Sequence, residues 1–203
     1  MATLGDMKIR ITAELRRGDL GDRVDDAIAS AIRFYERQRF RFNEGWATAV
    51  TAAGEARYAP PADLVLIDTL RITAGGASHP LTERSWGWME AAALRAGASG
   101  RPTDHTLYAG QLHLHPVPDA AYRLEMAYVT RLPPLGGDAD ANAWTTDAEE
   151  LARCAAKKRL YAHVLREPDM AAAMQALENE ALTALRGEAT AQIGIGRITP
   201  THF

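Results

Sequence analysis

The sequence predicts an α+β protein in which N- and C-terminal helices form one bundle. An antiparallel β-sandwich-like domain is inserted between them, and an extended C-terminal tail follows. Three observations carry this reading. Apolar residues recur at spacings of three and four near both ends of the chain. Between those ends the helical period gives way to short stretches bounded by turn residues. The closing residues contain glycine and proline and no amphipathic stripe. The expected divisions are residues 1–43 for the N-terminal helices, 44–132 for the β-rich insertion and 133–145 for a linker, then 146–187 for the C-terminal helices and 188–203 for the tail.

Each element follows from local pattern. Thr3 is placed to cap a first helix carrying Met7, Ile11 and Leu15, with Gly18 as its stop. Asp19 starts a second, with Val24, Ala27, Ile28, Ala31, Ile32 and Tyr35 on one face. Asp22, Asp25, Asp26, Arg33 and Arg37 fall on the other, which is solvated or an interface, and Asn43 marks a turn after Phe40. In the insertion, the stretches from Trp46 to Thr51 and from Ala56 to Tyr58 read as a hairpin around Ala53-Gly54-Glu55. Pro60-Pro61 breaks the chain, and a longer strand from Leu64 to Thr73 ends at Gly75-Gly76. Leu107 and Gln111-Leu112 flank Ala109-Gly110, a two-residue hairpin signal. From Tyr122 to Thr130 apolar and polar residues alternate, and one helix, from about Arg84 to Ala96, interrupts the strands. After a linker rich in Pro, Gly, Asp and Asn, Thr145 or Thr146 caps a helix, with Glu149 spaced from Thr146 as in a capping box. Its stripe is Leu151, Ala155, Leu160, Tyr161, Val164 and Leu165. Pro168 suits the first turn of the last helix, which carries Met170, Met174, Leu177, Ala181, Leu182 and Leu185 until Gly187.

Composition bounds the function. The 203 residues and 22.1 kDa suit one compact unit or two small ones, and 47% hydrophobic with 24% charged residues is a globular balance. Mean hydropathy is −0.23. The lone Cys154 excludes an internal disulfide and a cysteine zinc cage. A net charge of −3 supplies no global basic field for nucleic acid. No apolar run approaches the roughly 18 residues that span a bilayer, and the charged stretch from Met1 to Gly18 lacks a secretory core. An intracellular soluble protein is expected. The 39 alanines and the 20 arginines against 3 lysines fit a high-GC genome. They also fit helices packed closely through small side chains.

Catalytic chemistry finds little support. His113 and His115 share a strand face, yet a third metal ligand requires His105 or His79 to converge on them. His163 lacks the arrangement of a metalloprotease helix, and no nucleophile elbow, phosphate loop or dinucleotide fingerprint is present. Cys154 sits mid-helix among alanines as an inert buried thiol. Glu149-Glu150 and Asp25-Asp26 suit helix starts or a subunit boundary. No catalytic, cofactor-binding or metal-binding residue is assigned. The basic cluster Arg33, Arg37, Arg39 and Arg41 interleaves with Phe34, Tyr35, Phe40 and Phe42, a mixture that binds single-stranded nucleic acid. With a net charge of −3 the preferred reading is a helix end with core aromatics and rim arginines. Glycine-containing termini fray unless held. A tail carrying Ile193, Ile195, Ile198 and Phe203 therefore points to docking on a neighbour or partner by strand addition or groove insertion.

Several segments carry a resemblance. They are Ala31 to Phe40, Pro60 to Asp68, Pro102 to Tyr108, Leu112 to Asp119, Asn142 to Leu151 and Gly196 to Phe203. Together they resemble head-to-tail adaptor (connector) proteins of tailed bacteriophages, prophages and gene transfer agents, nearly end to end. The resemblance implies a structural, non-enzymatic protein of the virion, assembled in the host cytoplasm. It implies a ring, usually of twelve copies, under the portal protein, whose helices surround a channel that passes double-stranded DNA without specific binding. The insertion would face tail or tail-completion proteins; no membrane is involved. Portal binding would fall to the tail, through Ile193, Ile195, Gly196, Arg197, Ile198, Thr199, Pro200, Thr201, His202 and Phe203. Close helix contact around the ring is expected at Ala155-Ala156 and Ala171-Ala172-Ala173, and acidic groups are expected to outnumber basic ones on the lumen.

Two rivals stand beside this reading. One is a stand-alone β-sandwich module that binds carbohydrate or peptide on a helical oligomerisation stalk. The other is a hydrolase or nuclease with a dispersed site, which requires convergent titratable groups in one pocket.

Overall fold

Thr3 opens the first helix as expected. Its hydroxyl accepts from the amide of Asp6 at 3.2 Å, and the Asp6 carboxylate accepts from the Thr3 amide at 2.9 Å, closing a capping box. In the computed structural model, which describes residues 1–95 and 99–194 and the side chains of 1–94 and 99–187, this helix is α1, Leu4–Leu15. It buries Leu4, Met7, Ile11 and Leu15. It stops short of Gly18, because Arg16 takes up the left-handed turn (φ 52°) and returns its amide to Ala13. Asp19 is drawn into an ion pair with Arg17 at 2.8 Å, so α2 begins later, spanning Gly21–Tyr35. Beyond it, a tight turn over Arg41–Asn43 is held by Asn43, whose Oδ1 accepts from the Phe40 amide at 2.7 Å.

The chain divides into two units, Met1–Asn43 with Leu132–Phe203, and Glu44–Arg131. In the first, α1 and α2 meet α4 (Glu149–Arg159), a π-helical turn (Leu160–Leu165) and α5 (Pro168–Gly194); the intervening α3 (Trp86–Arg95) belongs to the second unit. One apolar cluster joins Met7, Ile11, Val24 and Ile28 to Ala152, Ala156 and Leu160. A second joins Ala31, Tyr35 and Phe40 to Trp144, Ala148, Leu151 and Ala155, with Leu182 and Leu185 packed against it.

Four expectations for this unit are corrected. The Thr146–Glu149 capping box is absent: the hydroxyls of Thr145 and Thr146 both donate to the Asn142 carbonyl, and α4 starts after Ala148 with no side-chain cap. Trp144, inside the expected linker, is 3% exposed, with its ring edge-on to Phe40 and Phe42. Ala155 and Ala156 are buried inside their own chain, so they are not a surface for a neighbour. The last helix does not stop at Gly187. A single helical glycine costs only about 1 kcal/mol relative to alanine, and α5 continues through Gly194, so residues 188–194 are helix rather than extended tail.

The second unit holds two four-stranded sheets. The first runs β1 (Glu44–Val50), β8 (Arg123–Thr130), β3 (Leu64–Ala74), β4 (Ala77–Pro80), and all its pairings are antiparallel. The second runs β2 (Arg57–Tyr58), β7 (Gln111–His115), β6 (Asp104–Tyr108), β5 (Thr82–Glu83). Leu70, Ile72, Leu124 and Met126 of one sheet share a core with Leu112 and Leu114 of the other. The expected turns form: Gly75 and Gly76 join β3 to β4, and Ala109 (φ 50°) and Gly110 (φ 73°) join β6 to β7 with positive φ at both central positions.

Two features differ from a purely antiparallel sandwich. β5 and β6 are parallel, since α3 (Trp86–Arg95) provides the helical crossover that parallel neighbours require. The expected hairpin between the stretches ending at Thr51 and Tyr58 does not form either, because β1 pairs with β8 and β2 with β7 in the other sheet. Thr51 anchors the departure, its amide donating to Tyr122 at 2.9 Å and its hydroxyl to Ala120 at 2.9 Å.

Candidate functional site

The helices of the first unit carry both a charged stitching and a buried polar junction. Along the α1–α4 seam, Arg10 pairs with Glu149 at 2.7 Å, and Glu14 pairs with Arg153 and with Lys157. Lys8 reaches both Asp25 at 2.9 Å and Asp138 at 2.7 Å, which raises its affinity for its proton. Lys157 is buried, but the other pairs have at least one exposed or half-exposed partner and contribute about 0–1 kcal/mol each, whereas a fully buried Leu or Ile contributes roughly 1.5–3 kcal/mol. The apolar seam therefore holds the helices, and the charges fix their register.

The buried junction lies at Glu178, which is 1% exposed. Tyr35 of α2 donates to its Oε1 at 2.5 Å, and Lys158 of α4 lies 2.5 Å from its Oε2. Lys158 also donates to Gln175 at 3.0 Å, and Gln175 donates to Asn179. Burial, and then the neighbouring carboxylate, push the Tyr35 hydroxyl above its ordinary range. Sequence reading missed Glu178, although a signal was present: it stands four residues after Met174 and four before Leu182, on the face that packs inward. Four residues of the expected stripe, Met174, Ala181, Leu182 and Leu185, do face the core, and two do not. Met170 and Leu177 are exposed, while Ala171, Met174, Ala181, Leu182 and Leu185 pack against the core.

Turned outward, Leu177 lines a groove of about 440 Å³ between the start of α4 and α5. Leu151, Ala181 and Ala184 complete its apolar floor, and Asp147, Glu150 and Glu180 rim it. At the end of α2 the aromatics of the basic cluster separate. Tyr35 and Phe40 are buried, Phe42 stacks on Phe40, and Phe34 alone stands out at 65% exposure between the exposed Arg33 and Arg37. That leaves no ladder of rings on which successive bases could stack.

The portal-binding residues assigned from sequence lie almost wholly outside the described residues. Ile193 falls in the backbone of the last turn of α5. Ile195, Gly196, Arg197, Ile198, Thr199, Pro200, Thr201, His202 and Phe203 lie outside the described residues.

The second unit places two of its histidines against rings. His113 is edge-on to Trp86 at 4.8 Å, and His115 to Trp88 at 5.8 Å. His105 is buried, which lowers its proton affinity, and its Nδ1 has no hydrogen-bond partner. Arg84 donates to Asp104 at 2.7 Å and lies over Trp88. Among the described residues, no group of three or more His, Cys, Asp or Glu is arranged to hold a metal. In the first unit, the Cys154 thiol is pushed up to about 12 by burial and by its hydrogen bond to Glu150, which keeps it protonated and unreactive. Among the described residues, no helix is long and apolar enough to cross a membrane.

No curated protein matches the chain. The family profile of the SU10 adaptor protein matches residues 2–200, almost the whole sequence and both units. Because the match spans nearly the whole sequence, the chain belongs to the SU10 adaptor protein family, a family of phage head-to-tail adaptors.

Proposed function

We propose that this protein is a structural, non-enzymatic adaptor that forms a ring under the portal protein, joins capsid to tail and forms part of the DNA conduit. The observation that carries the reading is the family match over residues 2–200. Its partners are the portal protein, tail or tail-completion proteins and further copies of itself, twelve in the ring. Double-stranded DNA passes through without specific binding. The protein resides in the virion at the head–tail junction after assembly in the host cytoplasm.

Physical features support parts of this. A net charge of −3 suits a conduit along which the duplex must slide. The first unit is held by its own core and ion pairs, so its outer helical faces are available for neighbours. Ile193 and the residues from Ile195 to Phe203 form the proposed portal-binding segment.

The test is particle mass and imaging. The full chain mixed with the portal protein of the same phage is expected to give a ring-on-ring complex with one adaptor copy per portal subunit and an open channel. A monomer or dimer that ignores the portal would overturn the reading.

A further inference from the structure

The groove between α4 and α5 and the protruding Phe34 are complementary in shape class and in charge. The groove exposes Leu177 and Ala184 above the fully buried Leu151, inside a carboxylate rim of Asp147, Glu150 and Glu180. Phe34 is an exposed ring, and Arg33 and Arg37, the arginines nearest to it in sequence, are exposed as well. It meets the Tyr35 ring edge-on at 5.0 Å, keeps most of its surface in water and does not line its own chain's groove. Each feature therefore presents apolar surface that its own chain leaves uncovered. An exposed phenylalanine between cations, and an apolar trough between anions, are the two halves of one contact.

Their placement matters as much as their chemistry. Tyr35 is hydrogen-bonded to Glu178, and Phe34 and Leu177 are the residues immediately before those two. Knob and groove therefore stand at the same level along the helices. A contact between two different patches repeats head to tail, and it closes into a ring only when successive copies are not displaced along the axis. Patches at one level meet that condition when the helices run along the ring axis.

We infer that Phe34, with Arg33 and Arg37, inserts into the Asp147–Glu150–Glu180 groove of the next copy of this chain, and that this is the contact that builds the ring. The inference rests on the ring reading above and names the surfaces that make it. The ring contact is then carried by the end of α2 against α4 and α5, and not by the alanine pair Ala155-Ala156, which is spent inside the chain.

Disulfide trapping tests it. The full chain carrying Phe34→Cys together with Leu177→Cys is assembled with the portal protein of the same phage and oxidised. A ladder extending past the dimer is expected on a non-reducing gel, because each copy links to the next; each single variant is expected to run as monomer. Cys154 is fully buried and stays out of the reaction. A dimer from Phe34→Cys alone means a two-fold contact and overturns the inference. A double variant that fails to cross-link while the unmodified chain has the mass of a ring overturns this interface and leaves the ring reading standing. A chain that remains monomeric with the portal overturns both. Charge reversal gives a second measure. Arg33→Glu with Arg37→Glu, or Asp147→Arg with Glu180→Arg, is expected to weaken self-association at least about tenfold. The four changes combined in one chain are expected to restore most of it, since Arg33, Arg37, Asp147 and Glu180 are then all reversed and only Glu150, which is paired with Arg153, keeps its sign. Failure of the combination to recover any association counts against the pairing.

Discussion

Tyr35 donates a 2.5 Å hydrogen bond to Oε1 of Glu178, tying the end of α2 to the middle of α5 inside the helical unit. Lys158 holds the other carboxylate oxygen, so three helices converge on one buried charge. A carboxylate taken from water is costly unless it is both paired and hydrogen-bonded; here Oε1 is hydrogen-bonded by Tyr35, and Oε2 is charge-paired with Lys158 but has no hydrogen bond of its own.

Removing the partners separately measures that junction. Tyr35→Phe leaves Oε1 without its donor and should cost about 1–3 kcal/mol. Lys158→Met leaves a buried anion unpaired and should cost about 3–5 kcal/mol. Glu178→Leu combined with Lys158→Met and Tyr35→Phe should recover most of that loss, because an apolar junction needs no desolvation repayment and leaves no phenol without its acceptor. Denaturant unfolding of the three proteins reads these differences. A Lys158→Met protein as stable as its parent would show that the pair is not a structural requirement.

The same junction fixes a response to alkali. Burial first, and Glu178 next, raise the pKa of Tyr35 above the ordinary value, so the folded protein prefers the protonated phenol. The stability this contributes is complete below about pH 10, where an unfolded tyrosine ionises. It is lost as pH rises from there through the folded value. Tyr35→Phe, although less stable at neutral pH, should therefore lose less stability than the parent over the alkaline range. Equal alkaline slopes for the two proteins would refute the link.

Asp140 straps the start of α1 to the segment before α4. Its carboxylate accepts from the amides of Gly136 at 2.7 Å and Gly137 at 2.8 Å, which depress its pKa, Gly137 having the larger effect. The turn so formed presents the carbonyls of Asp138 and Asp140 to the amides of Gly5 and Leu4, each at 2.9 Å. Asp140→Ala should speed hydrogen exchange at Leu4 and Gly5 and leave the β strands unchanged. Because the folded pKa is lowered, the strap is at full strength above about pH 4 and weakens as pH falls below it. Asp138→Ala removes only the link to Lys8 and should affect those two amides less; the reverse order would argue against the strap.

These cases show how far residue order alone reaches. Thr3 and Asp6 form a capping box within four residues, and Ala109-Gly110 sets a hairpin within two, so both were legible. Asn142 redirects Thr145 and Thr146 by hydrogen bonds that no capping pattern encodes, and Trp144 is buried although its neighbours have the composition of a linker. Turn-forming residues report irregular backbone, not exposure. The separation of β1 from β2 into different sheets depends on strands more than fifty residues away, which local pattern does not contain. The groove and Phe34 were half visible. The arginines and aromatics were evident in sequence, but which ring remained outside was decided by the packing of Trp144 against Phe40 and Phe42.

Two substitutions in the second unit should move stability in opposite directions. Ala109 sits at φ 50°, a conformation that costs an alanine about 1–2 kcal/mol and that asparagine tolerates better. Ala109→Asn should therefore stabilise the β6–β7 hairpin by up to about 1 kcal/mol. Gly45 lies opposite Tyr128 in the β1–β8 register, and a Cβ there would come within 2.8 Å of the ring. Gly45→Ala should cost about 1–3 kcal/mol and loosen the Tyr128 hydroxyl from Asp63, to which it donates at 3.1 Å. Thermal unfolding with exchange measured in β7 and β8 checks both signs.

Truncation separates the contribution of the end of α5 from that of the tail. A chain ended after Gly194 keeps all of α5 and lacks Ile195 to Phe203, whereas a chain ended after Gly187 also loses seven helical residues. With portal binding assigned to the tail, both chains should fail to join the portal protein. They should differ in helical content by circular dichroism, the Gly187 chain falling short of the Gly194 chain by the seven residues of α5 that it lacks. Self-association should survive in both, because Phe34, Leu177 and the groove carboxylates all precede the cuts. A Gly194 chain that captures portal as well as the full protein sinks the tail assignment. One that keeps the portal but no longer self-associates would move the ring contact from the α4–α5 groove to the tail.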